Sequence, residues 1–330
     1  MRIFVPALTV VVLLLVAAGA AGSEGGRWVF GVVVPYAAAA IFVVGVVVRV
    51  IGWARSPVPF AIPTTCGQQK SLPWIAQAKI ENPSTTAGVI ARMALEVLCF
   101  RSLFRNTRAQ LADGRLSYGS AKWLWAAGLA FHYAMLVIVL RHLRLFMEPV
   151  PGFVLALARV DGFLLVGLPA IQATTVLFLA AATFLLLRRI ASAPLRYLSL
   201  ASDYFPLFLF LAIGASGAWL RHVSKIDIPA AKAMVMSLVH LSPRPAEGLG
   251  AVFYAHLLLV SALLAYFPFS KLVHMAGVFL SPTRNLTANS REVRHVNPWN
   301  APVPLHTYAE YEDEFRERMR DAGIPVEKEA

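Results

Sequence analysis

Charge is scarce in this chain. Only 15% of its 330 residues are Asp, Glu, Lys or Arg, against 58% that are hydrophobic. The mean hydropathy of +0.64 excludes an ordinary soluble domain and makes lipid part of the solvent. Cysteine is scarcer still: Cys66 and Cys99 stand far apart, with no CxxC between or around them. Two isolated thiols exclude an iron–sulfur cluster or a four-thiolate zinc site held by this chain alone, and they suggest no disulfide framework. Any redox centre the chain builds must therefore use histidine. Internal repeats and low-complexity tracts are absent. The formal charge of +12 does not point to nucleic acid, because Lys and Arg fall between apolar runs and not on one soluble face.

Long apolar runs dominate what is present. Six are long enough to cross a hydrocarbon core of about 30 Å, which takes roughly 20 helical residues. They lie near Ile3–Ala21, Val29–Val50, Leu124–Phe146, Phe163–Leu187, Tyr204–Leu220 and Ala251–Met275. Backbone groups in lipid must bond within their own segment, so an all-α membrane protein of about six transmembrane helices is expected. Basic residues concentrate in segment 51–123, in the turn 188–203 and in the tail from Lys271, all on one side if Met1 is cytoplasmic. The positive-inside rule then predicts cytoplasmic N- and C-termini in a bacterial inner membrane. The first run, with Arg2 before it and Ala18-Gly19-Ala20-Ala21 at its end, also fits a signal peptide.

Segment 51–123 is longer than a helix connection needs. It combines Pro-rich turns with Val89–Leu111, which reads as an amphipathic basic helix carrying Val89, Met93, Leu95, Leu98, Phe100, Leu103 and Phe104 on one face and Arg92, Arg101, Arg105 and Arg108 elsewhere. Such a helix suits the membrane interface or a docked partner, and equally a connector packed on the bundle. The tail after Ser281 is polar and reads as an extramembrane arm or a disordered end. The chain thus divides into two N-terminal transmembrane helices (1–50), a cytoplasmic segment (51–123), a membrane domain (124–275) and a C-terminal tail (276–330).

Eight histidines occur, and four fall inside the third and sixth runs: His132 and His142, then His256 and His274. Ionisable residues at membrane depth are costly and mark function. The two runs are antiparallel under the topology above, so His132 pairs with His274 towards the inside and His142 with His256 towards the outside. Neutral imidazole ligates iron well, and two axial imidazoles leave no open position, so such an iron carries electrons and does not activate substrate. Two haem irons roughly 20 Å apart would follow from the helical rise. No CxxCH is present, which excludes covalent attachment. A ten-residue step turns about 1000°, so His132 and His142 point roughly 80° apart and the third helix is expected to bend or rotate locally. Small residues at Ala126, Ala127, Gly128 and Ala130, and at Gly214 to Ala218, would admit a porphyrin or simply allow close helix packing. Arg221, His222 and Lys225 lie at the outer interface. His222 could bond a quinone carbonyl there or snorkel to the headgroups. His240, His295 and His306 fall in extramembrane segments.

A His-x9-His run followed by a His-x17-His run resembles the cytochrome b (gamma) subunit of respiratory nitrate reductases over about residues 124–275. That resemblance implies a di-haem, four-helix-like bundle in which His132 with His274 and His142 with His256 ligate two b haems. The segment Pro63-Thr-Thr-Cys-Gly-Gln-Gln-Lys-Ser-Leu-Pro-Trp74, then Asn82-Pro-Ser-Thr-Thr86, Arg101-Ser-Leu-Phe-Arg-Asn106, Asn297-Pro-Trp and Tyr308–Arg320, is similar to the DsrM family over nearly the whole chain. These are membrane cytochromes b of DsrMKJOP complexes linked to dissimilatory sulfite reductase. The likeness implies two haem b groups, exchange with menaquinone or menaquinol, and a cytoplasmic iron–sulfur partner like DsrK alongside DsrJ-, DsrO- and DsrP-like subunits. Cys66 would lie in the segment facing that partner. The chain carries no second set of redox ligands, so it is expected to be an electron-transfer subunit and not a complete enzyme, in sulfite reduction or in sulfur oxidation. Two other classes also fit histidines at membrane depth: a proton-coupled transporter, and a membrane anchor without haem.

Overall fold

The computed structural model describes residues 2–56, 67–112, 114–163, 165, 166, 171–245, 248–289, 302 and 304–328. Cys66, His295 and Asn297-Pro-Trp lie outside these residues. Five helices are long and apolar enough to span a membrane: α2 (Glu24–Ala54), α5 (Lys122–Leu145), α7 (Ala173–Ala191), α9 (Ala201–Val223) and α11 (Ala251–Phe269). The chain is an all-α integral membrane protein. The first apolar run forms α1 (Phe4–Ala20), which at 17 residues is shorter than the other five and packs on α9 and α11. Its outer face, with Phe4, Leu8, Val12 and Leu15, is exposed, as is that of α2 with Val43, Val44, Val47 and Val48. Helices apolar on all sides suit lipid on one side and protein on the other.

Helix α5 packs on α7, α7 on α9, and α9 on α11. Among the described residues, α5 and α11 share no comparable backbone contact. They stand apart across the array, and these are the two elements with His132, His142 and His256. The shared core between α5, α7 and α9 is Phe131, Ala134, Phe178, Ala181, Ala182 and Phe210. Gly214 serves this packing directly, since a Cβ there would come within 2.8 Å of Leu179 and 2.9 Å of Phe178. Close packing therefore accounts for that part of the small-residue run.

Two boundaries differ from the sequence expectation in ways that matter. The sixth apolar run is not one helix to Met275. Pro268 lacks an N–H and cannot continue the ladder, so α11 ends in a 3-10 turn at Phe267–Phe269. Ser270 is extended, and its hydroxyl accepts from the Leu272 N–H at 3.1 Å to start a new segment, α12 (Lys271–Leu280), which carries His274. Helix α5, by contrast, is α-helix from Lys122 through His142. The fourth run likewise begins later than expected, as α6 (Gly152–Phe163) and a short strand pair, β3 (Leu165–Val166) with β4 (Ile171–Gln172), precede α7.

The segment before α5 is more structured than one amphipathic helix. It forms α3 (Thr86–Cys99) and α4 (Arg101–Arg105), which meet at Phe100 with φ of +49°, then a hairpin of β1 (Thr107–Ala112) and β2 (Arg115–Ser120). The expected helix to Leu111 is corrected here. Gly114, just before β2, has a positive φ of +73°, which glycine adopts without strain. Nor is the inward face of α3 apolar: Arg92 and Glu96 are buried along with Val89. Arg92 donates to the Thr283 carbonyl at 3.1 Å, and Glu96 accepts from Ser102. Glu81 pairs with Arg101 at 2.9 Å and with Arg105, and the Ala288 N–H donates to the Pro83 carbonyl at 2.7 Å. Residues 67–105 and 281–289 are thereby tied into one polar collar at the Lys122 end of the bundle. Short helices complete the chain: α8 (Ala193–Leu198), α10 (Ile228–Val239) and α13 (Tyr308–Asp321).

Helix α13 folds residues 322–328 back on itself. Glu312 is buried and accepts the N–H groups of Glu327 and Lys328, each at 2.9 Å. Those amides, with Arg316, hold its carboxyl below the ordinary range. A depressed folded value contributes stability that is present above the ordinary glutamate pKa and lost as pH falls. The amides of Glu327 and Lys328 are therefore expected to lose hydrogen-exchange protection below about pH 4.3, and Glu312→Gln should lose it at neutral pH.

Candidate functional site

Each of His132, His142, His256 and His274 has its Nδ1 committed. Nδ1 of His132 lies 2.7 Å from the Gly128 carbonyl and that of His142 lies 2.7 Å from the Ile138 carbonyl, one helical turn back in both cases. Nδ1 of His274 lies 2.9 Å from the Lys271 carbonyl. A carbonyl can only accept, so these Nδ1 atoms carry the proton and donate it. His256 uses a side chain instead: its Nδ1 lies 2.9 Å from Ser216 Oγ. The Ser216 hydroxyl donates to the Ala212 carbonyl at 2.7 Å, so its oxygen is left to accept from Nδ1–H. In all four rings the lone pair is then on Nε2.

One pair of rings meets between α5 and α12. His132 and His274 stand with centroids 5.9 Å apart and planes at 84°. His142 lies within electrostatic reach of His256. His256 and His274 lie on separate segments, α11 and α12, either side of the break at Pro268 and Ser270. Gly217 admits the His256 ring, since a Cβ at that position would lie 3.2 Å from its Cε1.

Aromatic side chains flank the first pair. Phe100 and Phe131 meet the His132 ring edge to face at 5.0 and 5.3 Å. Phe100 reaches it from the α3–α4 junction, which is fastened to α5 by Trp125 Nε1 donating to the Cys99 carbonyl at 2.7 Å and Tyr133 donating to the Leu98 carbonyl at 2.8 Å. Sequence reasoning missed Phe100 and Ser216 as neighbours of the histidines. The left-handed turn at Phe100 carries no glycine to announce it, and Ser216 lay inside a run read only for its size.

At the opposite end, Arg141 pairs with Asp161 and donates to Gln172 at 2.6 Å. Asp161 also accepts from the Thr174 N–H at 3.2 Å and its hydroxyl at 2.6 Å. Only 3% of the Asp161 side chain and 13% of Arg141 are exposed. This buried clip joins α5, α6 and the start of α7 one residue before His142. Arg221 and His222 fall in a π-helical turn, Trp219–Val223, and Lys225 follows in a left-handed conformation with φ of +50°. Arg221 and Lys225 are exposed and His222 is half-buried. A separate cavity of about 490 Å³ opens between α5 and α7 at the Lys122 end, lined by Trp123, Leu124, Phe184 and Arg188, and contains none of the histidines.

Comparison with known proteins fits this arrangement. The model of the nitrate reductase gamma subunit family matches residues 88–295, which include most of α3, all of α4 and these four histidines. The chain belongs to that family. The match extends further than the residues 124–275 suggested by the histidine spacing, and takes in the segment that carries Phe100. The chain is 47% identical over 285 residues to the Hdr-like menaquinol oxidoreductase cytochrome b-like subunit of Archaeoglobus fulgidus, covering 84% of this chain and 85% of that protein. It is 42% identical over 280 residues to the protein of the same name from Archaeoglobus profundus, covering 82% and 83%.

Removing one member of a buried ion pair strands the other. Asp161→Ala is expected to cost roughly 3–5 kcal/mol, read as a lowered Tm of the detergent-solubilised protein, whereas Asp161→Asn should cost less because it still accepts from Thr174.

Proposed function

We propose that this chain is a membrane di-haem cytochrome b that transfers electrons between the menaquinone pool and an iron–sulfur partner subunit. One observation carries the reading: His132 and His274 face each other at 5.9 Å with both Nδ1 protons held on carbonyls, so that both Nε2 lone pairs are available. Two metal–imidazole bonds of about 2 Å each, with the ring radii added, bring centroids roughly 6 Å apart. The donor set therefore fits bis-imidazole ligation, and the printed name of the Archaeoglobus relatives supports a b-type cytochrome that reacts with menaquinol. His132 with His274 would hold one haem and His142 with His256 the other. Haem b ligated on both faces supplies reversible one-electron transfer without an open iron position.

The chain's own residues then have distinct tasks. The Nδ1–H bonds fix each ring's tautomer and orientation, as outer partners of metal-bound histidines commonly do. Phe100 and Phe131 keep water from the His132 ring. The polar collar of residues 67–105 and 281–289, with α13 beyond it, presents an extramembrane surface for the partner, which on the sequence resemblance is DsrK-like in a complex with DsrJ-, DsrO- and DsrP-like subunits. Basic residues concentrate at that end, and the positive-inside rule places it, with both termini, in the cytoplasm. Quinone exchange is assigned to the opposite end, where His222 and Lys225 sit beside Arg221.

A dithionite-reduced minus oxidised spectrum with pyridine-haem quantification tests this reading. Wild type should carry two b haems per chain, and His132→Ala and His256→Ala about one each. A colourless wild type would leave a haem-free anchor or a proton-coupled transporter as the better account.

A further inference from the structure

The Arg141 end carries an excess of positive charge that its own carboxylates do not balance. Arg141 and Arg144 are three residues apart on α5, one turn from each other on the same face. Arg221 follows Gly217 by one turn on α9, and Gly217 is the residue that touches the His256 ring. Arg144 comes two residues after His142. Both Arg144 and Arg221 thus sit just beyond the His142 and His256 rings, towards the end of the bundle, and each is close enough to Arg141 for its charge to be felt there. Asp161 is the carboxylate of this group, and it is committed to Arg141 and Thr174. Among the described residues, neither Arg144 nor Arg221 forms an ion pair, and Glu148 is taken by Lys232. The Arg141 Nε–H is buried and unpartnered.

Three guanidiniums against one carboxylate at a bundle end, Arg141 and Arg144 half-buried and Arg221 exposed, repel one another unless an anion completes the set. The positive-inside rule makes such a cluster harder to explain at this end than at the other. Arginine is the side chain suited to pairing with carboxylates, through its planar fork of donors. Haem b carries two propionate carboxylates, and two negative charges are what the cluster lacks.

We infer that Arg144 and Arg221, with Arg141 held in place by Asp161 and Gln172, form the anion site for the propionates of the haem carried by His142 and His256. The inference rests on the di-haem reading above. It takes Arg221 for the haem and leaves His222 and Lys225 for quinone. Positive charge beside a haem stabilises its reduced form, so these residues also set that haem's potential relative to its partner's.

The test is a potentiometric titration of both haems in wild type, Arg144→Gln, Arg221→Gln and the matching Lys variants, purified in detergent with the lipid phosphorus counted. The haem absent from His256→Ala should titrate at a lower midpoint potential in each Gln variant and near the wild-type value in each Lys variant, while the other haem stays unchanged. Loss of that one haem in the Gln variants with retention in the Lys variants supports the inference equally. Two haems with unshifted potentials overturn it, and a fall in bound phosphorus in that case identifies the anion as a lipid phosphate. Equal loss in Gln and Lys variants overturns it too, because charge would then not be what matters. A wild type lacking two haems instead fails the di-haem reading itself.

Discussion

A polar ring inside hydrocarbon has to place its N–H on an acceptor, because an unmade hydrogen bond there costs several times what a made one contributes. Four imidazoles in this chain meet that requirement within the helices that carry them or on a neighbouring serine. Bonding Nδ1 to a carbonyl one turn back costs no extra partner, and it fixes which nitrogen is left with a lone pair. The same bond that satisfies the ring in an apolar setting therefore leaves Nε2 able to act as a ligand. The polarity of the array follows from this: α5 and α11 stand apart with their histidines between them, and α7 and α9 close the other side with phenylalanine, alanine and glycine.

The two ends of the array are held by different means. At the Lys122 end, the long segment before α5 folds under the His132 and His274 pair and is fixed by Trp125, Tyr133 and the buried Glu81 and Glu96. At the Arg141 end a buried Arg–Asp clip secures the helix just before His142. Buried ion pairs seldom contribute net stability over apolar packing, but they fix geometry and become costly when broken. Both clusters lie where a displaced helix would move a histidine.

Much of this was legible in the sequence. Ionisable residues interrupt apolar runs visibly, so the four histidines stood out from spacing, and the structure brings His132 beside His274 as the topology implied. The break at Pro268 was also written there, as a proline followed by a capping serine, yet the apolar run continued through it to Met275. Periodicity treats such a run as one helix. The Asp-Gly dipeptide at 113 and 114 is a local sequence signal for a hairpin, set against the helical pattern before it. The contact of Phe100 with His132 has no local signal. It depends on a left-handed turn at a phenylalanine and on two hydrogen bonds to α5 from residues distant in sequence, and tertiary packing of that kind is not encoded in spacing.

The central claim is that paired imidazoles from separate segments ligate both faces of each haem. Electron paramagnetic resonance of the oxidised, purified chain tests it most directly, because axial ligation sets the spin state of ferric iron. The account predicts two low-spin ferric signals, with that of the His132 and His274 site strongly anisotropic, as near-perpendicular imidazole planes at 84° require. A high-spin signal from either haem in the intact protein would mean that one face of an iron lacks its histidine, and would contradict the pairing.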